Sequence, residues 1–243
     1  MTAGGFDDWI RAFEDAWERR AGQGDPEWEP GALLPPPVRR SVRRFQVGED
    51  GDGANLIAKA EAAGDSAYAS AVRLFVDEER NHARLLALLL AAGGASTLRS
   101  HGSDRVFVAL RRLLGLRLEL LVLMIAEVIA LRYYRALRDG TADALTREVA
   151  GRILADEERH VPFHCARLRR ALGPLPRPVR ALATLGWRTA LGAVALVVAW
   201  GHGPALRHLG VRRRGFVAEV VRSSHPIAAD MVRGRAVRAV CDM

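Results

Sequence analysis

Two Glu-x-x-His motifs, 78 residues apart, constrain this chain more than any other feature of its sequence. They occupy residues 79–82 and 157–160, and each follows another glutamate, Glu49 or Glu127, by thirty residues. With 14 glutamates and 7 histidines in 243 residues, chance supplies about 0.4 such motifs. The duplicated set therefore indicates an internal repeat that carries a function.

The spacing within each motif is that of metal ligands on a helix. Residues three apart lie on one face of an α-helix, so a carboxylate stands beside an imidazole and one ion can bind both. The midpoint between each upstream glutamate and its motif falls at a predicted turn, at Gly64 or beside Gly140. Residues equidistant from the turn of a helical hairpin meet at the same height. Each hairpin is therefore predicted to bring together two carboxylates and one imidazole.

The periodicity of apolar residues predicts an all-α fold. An amphipathic helix over 6–20 precedes a linker that ends in Pro35, Pro36 and Pro37. The predicted helices of the central region are 38–63, 66–92, 105–138 and 141–172. Glycines around Glu49 leave a loop as the alternative within the first of them. Thr141 is the predicted N-cap of the last, and Pro162 predicts a kink in it.

The third of these helices carries a long apolar run, which includes Leu118 and predicts deep burial. Glu127 lies within it. A carboxylate is rarely buried without a partner, so a metal ion is its natural explanation.

A basic, partly apolar extension follows the predicted bundle. Segment 182–200 is predicted to form a fifth helix that covers the bundle or makes a homodimer contact. The alternative is peripheral contact of 182–243 with an anionic membrane. Arginines dominate the residues that follow the apolar segment, and they are Arg207, Arg212, Arg213, Arg214, Arg222, Arg233, Arg235 and Arg238.

Composition narrows the class of protein. The chain divides into 1–37, the bundle 38–172 and the extension 173–243. Its net charge is +8, but it has one lysine, only 6% aromatic residues and no interleaved basic-aromatic run, which argues against nucleic acid as a partner. Cys165 and Cys241 are too few for a disulfide framework, and the N-terminus lacks the pattern of a secretory signal, so a cytoplasmic location is expected.

Two hairpins related by a repeat predict a four-helix bundle with inward-pointing ligands. The predicted ligands are Glu49, Glu79, His82, Glu127, Glu157 and His160. Four carboxylates balance the charge of two divalent ions, and oxygen and imidazole ligands suit iron, with a manganese–iron pair as the alternative. Glu79 and Glu157 are expected to bridge the ions.

This pattern resembles the ferritin-like superfamily of carboxylate-bridged di-iron proteins. Residues 156–160 are similar to the Asp-Glu-x-Arg-His form of bacterial multicomponent monooxygenases and ribonucleotide reductase small subunits. In such proteins the acid before the ligand glutamate orients a ligand histidine. The resemblance implies this role for Asp156 and for Glu78. The first motif departs from the form at Glu78 and at Asn81, which stands where the second motif has Arg159.

The resemblance, which covers 38–172, implies an oxidase or oxygenase that uses O2, a small-molecule substrate and an electron donor. Ferritin- or rubrerythrin-like iron handling or peroxide removal, and a non-catalytic, metal-stabilised, membrane-associated bundle, are the alternatives. His164, one turn beyond His160, is interpreted as a hydrogen-bonded core histidine. Its alternatives are a proton donor or an extra ligand like the third histidine of some di-iron arylamine oxygenases. Tyr134 is expected to pack, or else to hydrogen-bond a ligand or carry a radical.

Overall fold

A computed structural model describes residues 5–51, 53–98 and 115–233. Every regular element in these ranges is a helix, which confirms the all-α class. In chain order the helices are α1 (Phe6–Gln23), α2 (Pro36–Glu49), α3 (Ala54–Ala62), α4 (Ser66–Ala92), α5 (Leu116–Gly140), α6 (Ala144–Leu172), α7 (Arg177–Gly201), α8 (Gly203–His208) and α9 (Arg213–Arg233). The predicted helical residues 105–114, and Arg235 and Arg238, lie outside the described residues.

The prediction of one helix over 38–63 is wrong, because the chain forms two helices there, α2 and α3. Gly53 lies between them with φ +65°, a left-handed conformation that favours glycine and that an α-helix does not continue through. A Cβ atom at this position would also clash with the side chain of Val76. Glu49 is therefore the last residue of α2 rather than a mid-helix residue.

Contacts divide the chain into two units, and the first comprises Met1–Glu119 and Ala142–Val149. Helices α1, α2 and α3 each pack on α4 in this unit. The rings of Phe6 and Tyr68 lie 4.8 Å apart between their centroids. The turn predicted at Gly64 is confirmed by its φ of +74°, and Asp65 then caps α4 by accepting a hydrogen bond from the backbone N–H of Tyr68.

Helix α6 begins at Ala144, so the prediction of Thr141 as its N-cap is wrong. Asp143 is the cap. Its carboxylate accepts hydrogen bonds from the backbone N–H of Thr146 at 2.8 Å and from the Thr146 hydroxyl at 2.6 Å. The backbone N–H of Leu33 also donates to Asp143, at 3.0 Å. A carboxylate serves these three donors with two oxygens, whereas a threonine hydroxyl offers only one.

The second unit comprises Leu120–Thr141 and Ala150–Met243. Helices α7 and α9 pack against each other in it. The indole N–H of Trp187 in α7 donates to the carbonyl of Leu121 in α5 at 3.0 Å. Arg169 of α6 pairs with Asp230 of α9 at 3.1 Å. Pro162 does not end α6, which is continuous from Ala144 to Leu172.

Burial of the apolar run in α5 follows the prediction at Leu120 and Met124, which are fully buried. It is wrong at Leu118, which is 51% exposed. The buried side of this first turn is instead taken by Glu119, whose carboxylate pairs with Lys59 at 2.6 Å. The amide of Asn55 also donates to Glu119. This buried polar cluster was not predicted from the sequence, because its members are some sixty residues apart.

Candidate metal centre

The three predicted ligands of the first repeat come together in the first unit. One ligand atom from each of Glu49, Glu79 and His82 lies within 4.8 Å of the other two. His82 Nδ1 lies 3.5 Å from Glu79 Oε1, since both residues project from one face of α4. Glu49 reaches them from the C-terminal end of α2. Glu49 and His82 are buried, whereas the side chain of Glu79 is 19% exposed.

The three predicted ligands of the second repeat come together in the second unit. Ligand atoms of Glu127, Glu157 and His160 lie within 4.8 Å of one another. His160 Nδ1 is 3.3 Å from Glu127 Oε2 and 3.5 Å from Glu157 Oε2. All three side chains are at most 3% exposed. Two buried carboxylates beside one imidazole concentrate negative charge, which a divalent cation neutralises.

Both half-sites thus have the composition that the repeat predicts, with two carboxylates and one imidazole each. This donor set fits a metal ion. Oxygen and nitrogen ligands in this ratio suit iron or manganese, whereas a structural zinc site more often uses cysteine thiolates. The described residues therefore include buried groups that could hold a metal ion in each unit.

His164 extends the second half-site. Its Nε2 lies 4.0 Å from Glu127 Oε1, and its side chain is fully buried. The ring centroid is 5.1 Å from that of Phe163. This position is compatible with each of the roles considered from the sequence, a core histidine, a proton donor or an extra ligand.

Tyr134 is also fully buried. Its ring meets Tyr133 edge to face, with 5.4 Å between the ring centroids. The geometry is that of a favourable aromatic pair, which is the packing role expected from the sequence.

The acids that precede the two motif glutamates each pair with an arginine. Asp156 pairs with Arg159, three residues later in α6. Glu78 has Asn81 at the matching position, and its partner is Arg20 of α1, whose Nη1 donates to Glu78 Oε1 at 2.6 Å. Both carboxylates are nearly inaccessible to solvent. Arg20 was missed in the sequence, where the only signal was the missing arginine in the first motif.

No protein-family model matches the chain, and no match was found among curated proteins or solved structures. The resemblance to the ferritin-like superfamily accordingly rests on the residues of the two motifs, and the candidate centre on the geometry of its two halves.

Proposed function

We propose that this protein binds a pair of metal ions, two irons or a manganese–iron pair, and uses O2 to oxidise a small-molecule substrate. The observation that carries the proposal is the duplicated half-site, in which two carboxylates and an imidazole converge. Two divalent ions balance the four carboxylate charges. We assign Glu79 and Glu157 as bridges between the ions, and a ferritin-like bundle as the arrangement that brings the halves together.

A bound iron pair would supply the electrons for the reduction of O2. The protein's own residues supply position and seclusion. Glu127, Glu157 and His160 project from helices and are buried, so the ligands are held in place and bulk water is kept away from them. Glu79 is the partly exposed ligand, at 19%, and marks the side of the first half-site that a small molecule reaches from solvent.

Anaerobic loading with ferrous iron tests the proposal. Elemental analysis is expected to find about two ions per chain after removal of unbound metal. Exposure to O2 is expected to change the visible absorption and to consume O2. A protein that retains metal but does not react with O2 would support the non-catalytic, metal-stabilised alternative. Iron accumulation in a cage-sized particle, seen by light scattering, would support the ferritin-like alternative.

A pair of neighbouring glutamates provides a matched control for the ligand assignment. Glu157 is buried in the second half-site, and Glu158 is exposed. Glu157→Gln is expected to lower bound metal and to abolish the O2-dependent absorption change, because a neutral amide does not replace a carboxylate ligand. Glu158→Gln is expected to leave both unchanged. Equal metal content in the two variants would contradict the assignment of Glu157.

A further inference from the structure

Helix α7 is apolar on two sides. Its inner side is buried, with Trp187, Leu191, Ala195 and Ala199. Its outer side is equally apolar, yet it is exposed. The largest side chains of this outer side are 60–75% exposed, and they are Leu182, Leu185, Leu196, Val197 and Trp200. A contiguous exposed apolar surface of this kind marks a place where another molecule docks.

Among the described helices, α7 is the one long and apolar enough to cross a membrane. Its contacts argue for a different placement. The inner side packs on α9, whose charged residues include Arg214, Glu219 and Arg222. A helix that crossed the hydrocarbon would carry these charges in with it, at high cost. The arrangement therefore fits a helix that lies along a membrane surface.

The charge around α7 has one sign. Residues 159–218 contain eleven arginines and no aspartate or glutamate. A second copy of the chain would bring the same positive charge against this surface, so like-charge repulsion opposes self-association here. Anionic phospholipids supply the opposite charge, together with an apolar layer beneath it.

A groove of about 400 Å³ between α7 and α9 combines the two properties. The apolar part of its lining includes Leu196, Trp200 and Val217, and Arg213 and Arg214 complete it. The guanidinium carbon of Arg213 lies 5.0 Å from the centroid of the Trp200 ring. Such a groove matches an acyl chain with an anionic headgroup beside it.

We propose that the outer side of α7 and the groove beside Arg213 and Arg214 dock the protein on an anionic phospholipid membrane, with the helix parallel to the membrane plane. Trp200 then lies at the level of the headgroups, where tryptophan is enriched in membrane proteins. The exposed leucines enter the upper part of the acyl layer. This inference is independent of the metal centre.

Co-sedimentation with vesicles tests the proposal on the full-length chain. Binding is expected to vesicles that contain phosphatidylglycerol, and to be at least ~10-fold weaker to phosphatidylcholine alone or at high salt. Removal of both groove charges in Arg213→Gln/Arg214→Gln is expected to weaken binding by on the order of tenfold or more. Leu182→Glu, which places a negative charge on the outer side, is expected to weaken it as well.

Two tryptophans give a matched control. Trp17 of α1 and Trp200 of α7 are both largely exposed, at 63% and 75%. Trp200→Ala is expected to reduce vesicle binding severalfold, and Trp17→Ala to leave it unchanged; circular dichroism checks that both variants fold. Equal losses in the two variants, or no preference for anionic vesicles, would overturn the proposal. So would a dimer in light scattering that Leu182→Glu dissociates, because the outer side would then bind a second copy.

Discussion

Arg20 Nη1 donates a hydrogen bond across 2.6 Å to Glu78 Oε1, and this contact joins the N-terminal helix to the residue that precedes the candidate ligand Glu79. Glu78 is only 2% exposed, and the Arg20 side chain is 19% exposed. The pair is therefore shielded from solvent, where an ionic interaction is stronger than at the surface. Through it, α1 supplies the arginine that the second repeat carries within its own motif.

Arg20→Ala is expected to lower the free energy of unfolding by about 1–3 kcal/mol, because it removes a charged partner from a buried carboxylate. Urea denaturation followed by circular dichroism measures this loss. Arg80→Ala is the control, since Arg80 and Asp77 form a pair that is more than half exposed, and its loss is expected to cost under about 0.5 kcal/mol.

The double variant Arg20→Ala/Asn81→Arg separates this role from general packing of α1. It places an arginine three residues after Glu78, as Arg159 follows Asp156, and is expected to recover part of the lost stability. A double variant no more stable than Arg20→Ala, with Asn81→Arg alone neutral, would show that the carboxylate does not need a guanidinium.

Gly53→Ala is expected to destabilise the protein by about 1–3 kcal/mol, since alanine is strained at a φ of +65° and its Cβ would clash with Val76. Gly51→Ala is the matched control, because a Cβ there meets nothing within 4 Å. Thermal unfolding compares the two. Similar unfolding temperatures for both variants would mean that the break between α2 and α3 does not depend on Gly53.

Asp143→Ala is expected to cost about 1 kcal/mol at neutral pH, the usual loss for an N-cap. Burial opposes ionisation of Asp143, but hydrogen bonds from Thr146 and Leu33 and the charge of Arg147 outweigh it, and the pKa of the carboxyl is lowered. A lowered folded-state pKa gives stability that is complete above the unfolded pKa of about 3.9 and is lost as pH falls through the folded value.

The difference in unfolding free energy between the wild type and Asp143→Ala is therefore expected to be constant above about pH 5 and to shrink below about pH 4. Urea denaturation over this range measures it. A difference that grows on acidification would contradict the assignment of the ionised carboxylate as the cap.

Cys165 is expected to be inert in the folded protein. Its side chain is fully buried, and burial, with the nearby charge of Asp230, raises the pKa of the thiol far above its usual value. In a Cys241→Ser variant, Cys165 is the one remaining thiol. Iodoacetamide is expected to label it only after denaturation, as mass spectrometry would detect. Rapid labelling under native conditions would show that solvent reaches this part of α6.

Local signals predicted the parts of the fold that depend on local chemistry. Helix α4 matches its predicted span because Gly64 and Asp65 end one helix and cap the next. The six ligands were found because metal binding requires a fixed spacing on a helix. The break after Glu49 depends on the close approach of Gly53 to Val76, and Arg20 meets Glu78 across 58 residues of chain. Periodicity in a single sequence carries no information about such long-range contacts.

The position of Glu49 as the last residue of α2 makes the two half-sites unequal in rigidity. The carboxylate lies at the negative end of the helix dipole, where a negative charge is disfavoured until a cation arrives. Glu127, Glu157 and His160 lie within α5 and α6, away from the helix ends. We therefore expect the ions to enter in sequence, the second half-site first, with the last turn of α2 becoming ordered as the first half-site fills.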